Sequence, residues 1–185
     1  VPVLNPCKGQ SSNSLSDVFS TSYNYEYAGA YPDAIQTVKS VYTADSYEIN
    51  LRLGWLHYNA GLFTESLTYY QKSISIMPAS IEAKFGIILP SSALGNWDHV
   101  VKQYEDILKI DSKNQLANYR LGLIHYGRKD YKNAHLLFEK LANHYPFEYN
   151  YILMYAWTNY FTGKLREAKV LFGKALLTKP GDASA

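Results

Sequence analysis

The fold is decided by the stretch Asn50-Leu51-Arg52-Leu53-Gly54-Trp55-Leu56-His57, because its skeleton Asn-x-x-Leu-Gly-x-x-His returns later in the chain. The second copy is Asn118-Tyr119-Arg120-Leu121-Gly122-Leu123-Ile124-His125, twice 34 residues downstream. The same step leads from Gly54 to Ile88, Gly122 and Ala156, and from Pro78 to Ser112, Pro146 and Pro180. A period of this length is typical of units that bury their apolar faces only against their neighbours. The sequence therefore predicts a repeat protein.

The composition narrows the classes of partner. Hydrophobic residues make up 47% of the 185-residue chain, enough for a sizeable core, whereas charged residues make up only 18% and Tyr occurs 18 times. The formal net charge of +2 comes without a basic run, so we expect no nucleic-acid partner. No apolar run has the roughly 18 residues that a membrane span requires. Cys7 is the single cysteine, which excludes an internal disulfide.

The period divides the chain into five helix-turn-helix units after a lead-in over 1–14. The lead-in is rich in Pro, Gly and Ser, and it is either the remnant of an export signal or a flexible terminus. A lipid anchor at Cys7 is disfavoured because Asn5 and Pro6 stand where such sites carry small residues. Cytoplasmic and exported locations both stay open. The expected repeats are 1 at 15–46, 2 at 47–80, 3 at 81–114, 4 at 115–148 and 5 at 149–182, with a further repeat starting at 183–185.

Small residues recur where the two helices of one unit are expected to meet. Gly54 and Gly122 share their register position with Ala156, and Gly in a helix interior costs roughly 1 kcal/mol relative to Ala. We therefore expect close helix contact at these positions, with aromatic rings wedged between successive units. The matching small residues are Ser66, Ala134 and Ala168, and the wedging rings are Tyr70, Tyr104, Phe138 and Phe172.

Repeat 3 departs from this pattern at Pro90, which falls inside its predicted first helix. Proline removes a backbone hydrogen bond there and crowds the carbonyl of Gly86. We expect a kink or an early helix end near 86–90. A local irregularity is favoured over a functional bend of the solenoid.

The units resemble the tetratricopeptide repeat family, whose 34-residue pattern is W-x2-L-G-x2-Y…A-x3-F…P. Repeat 4 matches this pattern with Leu121, Gly122, Ala134, Phe138 and Pro146. The departures are Asn50, Lys84, Asn118 or Ile152 for the leading aromatic, and His57, Ser91, His125 or Asn159 for the tyrosine. The resemblance implies an all-α fold, an α-solenoid of stacked antiparallel helix pairs in a right-handed superhelix. It also implies that the first helices line a concave groove that binds peptides or partner helices.

The groove positions implied by the resemblance form one stripe on each first helix. In co-chaperone members of the family these places carry Lys and Asn that hold a C-terminal carboxylate, so that specificity is not expected here. An apolar and aromatic stripe suits a partner that inserts hydrophobic anchors. The candidate residues are Leu51, Trp55, Tyr58, Phe85, Leu89, Tyr119, Leu123, Tyr126, Leu153, Trp157 and Tyr160, with Arg52 and Arg120 as the nearby cations.

Packing of these rings against neighbouring first helices is the structural alternative. We expect about half of the stripe to lie in the core. Partial exposure is expected for Trp55, Tyr58, Tyr126, Trp157 and Tyr160.

The sequence shows no constellation of catalytic residues. His57 and His125 lie two repeats apart, too far for a shared metal or acid–base site, and are interpreted as substitutes for a packed Tyr. No His-Glu-x-x-His motif, glycine-rich phosphate loop or Gly-x-Ser-x-Gly motif occurs, and Cys7 has no His/Asn context. We therefore predict no enzyme activity, no cofactor and no metal.

Three functions follow from these observations. The first is a protein–protein interaction scaffold that binds a hydrophobic or aromatic peptide or helix in its groove. The second is a structural assembly domain that self-associates through its ends or belongs to a longer array, with the Leu171, Phe172 and Leu176 side of the last helix as the exposed face. The third is the binding of a small ligand or glycan by stacked rings.

Overall fold

The computed structural model describes residues 14–181 and contains ten α-helices and no strand within them. Apart from Ser14, the predicted lead-in and Cys7 lie outside the described residues, as does the further repeat predicted at 183–185. The helices are α1 Leu15–Tyr27, α2 Tyr31–Lys39, α3 Tyr47–Asn59, α4 Phe63–Ile76, α5 Ile81–Ala93, α6 Trp97–Ile110, α7 Gln115–Gly127, α8 Tyr131–His144, α9 Tyr149–Phe161 and α10 Leu165–Thr178.

The described residues fall into two compact units, unit 1 at 14–94 and unit 2 at 95–181. In unit 1, α1 packs on α2, α2 on α3, α3 on α4 and α4 on α5. In unit 2, α6 packs on α7, and the series continues through α8 and α9 to α10. Within each unit, each helix thus contacts its neighbours in chain order, as in a repeat array. In unit 1, α3 and α5 also contact each other, so successive first helices lie side by side.

The start of three first helices is set by a cap that follows the period. The side chains of Ser46, Ser80 and Asn114 each accept a hydrogen bond from the backbone N–H three residues on, at 3.3, 3.0 and 3.0 Å. Such a cap satisfies an N–H that has no partner inside the helix and contributes about 1 kcal/mol. These helix boundaries are therefore encoded locally.

The turn that follows each first helix contains a residue with left-handed backbone conformation. Gly29, Gly61, Gly95 and Gly163 have φ angles of 72°, 77°, 73° and 81°, and Lys129 has φ 61° at the equivalent place in repeat 4. Glycine adopts this conformation without steric penalty, whereas a side chain makes it unfavourable. The turn chemistry thus recurs with the repeat and reverses the chain into each second helix.

The ring of Tyr70 fixes the spacing of three helices in unit 1. Tyr70 lies on α4 and is buried, and a Cβ atom added to Gly54 of α3 would lie within 3.0 Å of its ring. A Cβ atom added to Gly86 of α5 would lie within 2.7 Å of three atoms of the same ring. A side chain at either glycine would therefore push α4 away from its neighbours. The predicted roles of Gly54 and Tyr70 are confirmed.

Repeat 4 uses the same contact inside unit 2. A Cβ atom added to Gly122 would lie 2.8 Å from Cζ of Phe138, which is fully buried. Repeat 2 adds a polar link, since the buried Ser66 hydroxyl donates to the Gly54 carbonyl at 2.7 Å. Ala134, at the equivalent position, is buried without such a bond. Small residues are therefore required at both sides of the helix contact.

Two buried asparagines occupy the place of the leading aromatic. Asn50 and Asn118 are fully buried, and each Nδ2 donates two hydrogen bonds to carbonyls just before or at the start of its helix. A buried amide is stable only when such bonds are made. The asparagines therefore anchor the preceding loop by hydrogen bonds instead of by ring packing. The acceptors are Ala44 and Ser46 at 3.0 and 2.7 Å for Asn50, and Ser112 and Asn114 at 3.2 and 2.8 Å for Asn118.

Helix α5 passes through Pro90 and ends at Ala93, so the early end predicted near 86–90 is wrong. With 13 residues, α5 is as long as the other first helices. Pro90 lies in the last turn, and its carbonyl accepts a hydrogen bond from the Leu94 N–H at 3.0 Å. A proline in this place removes one backbone hydrogen bond close to the helix end, and the remaining turn still forms.

We expect Gly86→Ala to destabilise the protein by about 1–3 kcal/mol, because the added methyl group collides with the buried Tyr70 ring. The control is Gly173→Ala, where a Cβ atom meets nothing within 4 Å on α10, and a gain of up to about 1 kcal/mol is expected. Urea unfolding followed by circular dichroism measures both. Equal stability of Gly86→Ala and wild type would show that the ring contact does not set the helix spacing.

Candidate functional site

The eleven apolar and aromatic groove candidates all keep part of their surface exposed, and we call them the first-helix stripe. In unit 1, Trp55 is 38% exposed, while Leu51, Tyr58, Phe85 and Leu89 are half-buried. In unit 2, Tyr160 is 49% exposed, and the half-buried members are Tyr119, Leu123, Tyr126, Leu153 and Trp157. About half of the stripe was expected to lie in the core, but every member keeps part of its surface exposed to solvent.

The two arginines predicted beside the stripe differ in their surroundings. Arg120 is exposed, whereas Arg52 is 6% exposed and its Nη1 lies 2.5 Å from the Glu26 carboxylate on α1. Nε and Nη2 of Arg52 donate to the Ser22 hydroxyl at 2.9 and 2.8 Å, and its guanidinium covers the Tyr23 ring at 3.9 Å. Arg52 therefore fastens α3 to α1. It is not a free cation for a ligand, which corrects its assignment to the candidate groove.

In unit 1, the aromatic residues of the stripe begin next to this ion pair. The Trp55 indole N–H donates to the other Glu26 oxygen at 2.6 Å, so one carboxylate holds both Arg52 and Trp55. The Trp55 and Tyr58 ring centroids lie 6.3 Å apart, and Tyr58 contacts Phe63 at 5.7 Å. Trp55 is thus held in one orientation while more than a third of its surface stays exposed.

In unit 2, three rings of the stripe contact further rings on α8, α9 and α10, and we call the whole group the ring cluster. Its rings contact one another in a continuous series with centroid separations from 4.3 Å, between the stacked Tyr131 and Phe161, to 5.9 Å. Tyr160 and Phe161 are 49% and 43% exposed. Offset and edge-on arrangements of this kind contribute about 0.5–1.5 kcal/mol per pair beyond the area that they bury. The members are Tyr126, Tyr131, Trp157, Tyr160, Phe161 and Phe172.

Sequence reasoning found Tyr126, Trp157 and Tyr160 but missed Tyr131 and Phe161. The stripe was chosen at a spacing of i, i+4 and i+7, which omits Phe161 because it directly follows Tyr160. Tyr131 begins a second helix, and its ring meets Phe161 only because the first turn of α8 lies beside the last turn of α9. The available signal was the pair of ring-rich turns, Tyr126 to Tyr131 and Trp157 to Phe161.

Comparison with known proteins places this geometry in a family. Models of the tetratricopeptide repeat match residues 47–80 and 116–147, which correspond to repeats 2 and 4. The chain therefore contains tetratricopeptide repeats. Its fold class is all-α, an α-solenoid of antiparallel helix pairs.

Solved structures agree with this tetratricopeptide repeat fold. The crystal structure of MamA superposes with a TM-score of 0.73 at 19% identity, covering 89% of this chain and 91% of that one. A tetratricopeptide repeat protein from Parabacteroides merdae gives a TM-score of 0.76 at 20% identity, covering 90% of this chain and 67% of that one. No curated protein matches the sequence.

His57 and His125 were both predicted to substitute for the packed Tyr of the tetratricopeptide pattern, and of the two only His57 is buried. His57 is buried, its ring lies 4.8 Å from the Tyr69 ring, and its Nδ1 lies 2.7 Å from the Leu53 carbonyl. Burial lowers the pKa of His57, so the neutral ring that donates to Leu53 is the form present at neutral pH. His125 is half-buried and lies 3.0 Å from the Asp130 carboxylate.

Within residues 14–181, no group of three or more His, Cys, Asp or Glu side chains is arranged to hold a metal ion. No helix there is long and apolar enough to span a membrane.

The last helix exposes apolar side chains in several directions. Leu165 and Leu177 are 60% and 84% exposed, and Val170 is also exposed. On the face predicted to be bare, Leu171 and Phe172 are half-buried and Leu176 is exposed. This face of α10 is therefore a second candidate interaction surface.

We expect Arg52→Ala to lower the free energy of unfolding by about 3 kcal/mol, because it leaves the largely buried Glu26 carboxylate without its partner. The matched control is Arg120→Ala at the equivalent place two repeats later, where an exposed side chain predicts a change within about 0.5 kcal/mol. Urea unfolding measures both variants. Similar losses in the two variants would contradict the structural role assigned to Arg52.

Proposed function

We propose that this tetratricopeptide repeat protein is a non-enzymatic scaffold whose first-helix stripe binds an apolar or aromatic segment of a partner protein. Tetratricopeptide repeats generally act as protein interaction scaffolds, and the stripe supplies the specific surface. The observation that carries the proposal is the ring cluster, in which Tyr160 and Phe161 stay nearly half exposed beside rings that hold them.

The energetics favour binding at such a surface. Aromatic residues are over-represented among the side chains that contribute most of the affinity in interfaces, since they bury a large area with few rotatable bonds. Contacts among Trp157, Tyr160 and Phe161 restrict their rings before a partner arrives. Less conformational entropy is then lost on binding. The surface is therefore pre-organised for an apolar segment.

The absence of charge along these helices points to the same type of ligand. Helix α9 contains no Asp, Glu, Lys or Arg, and α7 contains Arg120 alone. A partner that buries the stripe of unit 2 therefore displaces little tightly bound water from charged groups. Apolar and aromatic side chains gain most from such a surface.

The proposal is tested with peptides selected from a random 12-residue display library on the wild-type protein. We expect Tyr160→Ala to weaken binding of the selected peptides by at least about tenfold, as for a central aromatic contact. Fluorescence anisotropy measures the affinity, and circular dichroism checks that the variant is folded.

The matched controls are Tyr27→Ala and Phe147→Ala, which remove rings that are at least as exposed but lie outside the stripe. These variants should bind the selected peptides as wild type does. Equal binding by Tyr160→Ala and wild type would overturn the assignment of the stripe as the ligand surface.

Self-association through α10 is a second candidate function, favoured by the exposed Leu165, Leu176 and Leu177. Apolar patches of this kind commonly mark interaction surfaces. Light scattering coupled to size exclusion should then show a mass that rises with protein concentration, and Leu177→Gln should reduce that rise. A constant monomer mass up to about millimolar concentration would exclude this function.

A further inference from the structure

The turns around the ring cluster carry a marked excess of positive charge. The cluster lies where α7 ends and α8 begins and where α9 ends and α10 begins, because the ring of Tyr126 contacts both Tyr131 and Phe161. The two turns read Gly127-Arg128-Lys129-Asp130-Tyr131-Lys132 and Thr162-Gly163-Lys164-Leu165-Arg166-Glu167. Each contains more basic than acidic residues, so the rim of the cluster is basic.

Some of the basic side chains of these turns already contact other residues of unit 2. Arg128 pairs with Asp98 at 3.2 Å, and Lys164 Nζ lies 3.2 Å from Nε2 of His135. Asp130 accepts hydrogen bonds from Asn133, which lower its pKa, and also contacts His125 at 3.0 Å. Asp130, which directly precedes Tyr131, therefore already has partners within its own repeat.

Three cations remain available on the same rim. Among the described residues, Lys129, Lys132 and Arg166 have no ion-pair partner, and all three are exposed. Glu167 is the single uncommitted carboxylate in the two turns, so the rim keeps a positive balance. The three cations lie in the two turns that adjoin Tyr131 and Phe161 of the ring cluster.

The stripe of unit 1 offers no comparable charge. The basic residues of α3 and α5 are Arg52 and Lys84, and each is 6% exposed. Glu26 is the charged group beside Trp55, and it is engaged by Arg52 and by the indole N–H. The turns after α1 and α3 contain no Lys or Arg, so a difference in rim charge distinguishes the aromatic surfaces of the two units.

We propose that the ring cluster of unit 2 recognises a segment of a partner protein in which an aromatic side chain is flanked by Asp or Glu. This inference rests on the proposed function and names the chemistry of its ligand. The aromatic side chain packs against Tyr160 and Phe161. The flanking carboxylates meet Lys132, Arg166 and Lys129, whose charges otherwise face solvent. Complementary charges of this kind fix the register of a ligand and speed its association.

The probes are three synthetic peptides of equal length, acetylated and amidated so that neither terminus is charged. Each has a central Trp-Tyr pair, flanked on both sides by two Asp, two Asn or two Lys residues. We expect the Asp peptide to bind the full chain at least about tenfold more tightly than the Asn peptide, and the Lys peptide to bind most weakly. The difference should shrink as salt is raised, because exposed charges are screened. Fluorescence anisotropy measures all three affinities.

The double variant Lys132→Gln/Arg166→Gln tests the rim directly. We expect it to bind the Asp and Asn peptides with nearly equal affinity, while its affinity for the Asn peptide stays that of wild type. The matched control is Lys113→Gln/Lys174→Gln, which removes the same net charge from the other end of the helices. This control should keep the preference for the Asp peptide.

The outcomes separate the inference from the proposed function. Ring-dependent binding of all three peptides with equal affinity would overturn the inference and leave the proposed function standing. Loss of the Asp preference in the control as well as in the rim variant would show an effect of net charge alone, and would also overturn it. If Tyr160→Ala binds every peptide as wild type does, the proposed function fails and the inference fails with it.

Discussion

The structure depends on one contact, the ring of Tyr70 packed against two backbones that carry no side chain. Gly54 lies on one side of the ring and Gly86 on the other, so α3 and α5 both approach α4 to the thickness of an aromatic ring. This spacing brings α3 and α5 into contact with each other. As a result, the exposed residues of the two first helices form one surface. In repeat 4, Phe138 packs against Gly122 of the same repeat, as Tyr70 packs against Gly54 in repeat 2.

Most of the fold follows from local signals that recur with the period. Hairpin turns at Gly29, Gly61, Gly95 and Gly163 and helix caps at Ser46, Ser80 and Asn114 are visible in the sequence, and each is satisfied within a few residues of itself. Contacts between repeats were harder to predict. In the sequence, Gly86 stood out only as the residue whose carbonyl Pro90 crowds, whereas the structure shows that it receives the ring of Tyr70 from the preceding repeat. A residue that packs against the preceding repeat cannot be recognised from the periodic pattern of its own repeat.

The candidate site shows the same limit in the two arginines. Arg52 and Arg120 occupy equivalent positions, and the periodic pattern treats them alike. Arg52 is buried because the preceding repeat supplies Ser22 and Glu26, the groups that a buried guanidinium requires. The repeat before Arg120 has Ile88 and Ser92 at those two places, and neither carries a charge. The difference was therefore readable from the sequence, but only by comparing each arginine with the repeat before it.

Aromatic residues and charged residues occupy different places in such a repeat, and their places determine what each can contribute to binding. A first helix lies between neighbouring helices, so a charge that is buried there is costly without a partner such as the one Arg52 has, and α9 carries no Asp, Glu, Lys or Arg. The turns face solvent and can carry unpaired charge without that cost. Rings on the helices can then supply affinity for many apolar segments, and charges at the turns are left to distinguish among them. In our proposal, the exposed cations in the turns beside the ring cluster of unit 2, together with the absence of Lys and Arg from the turns after α1 and α3, give the two surfaces different selectivity.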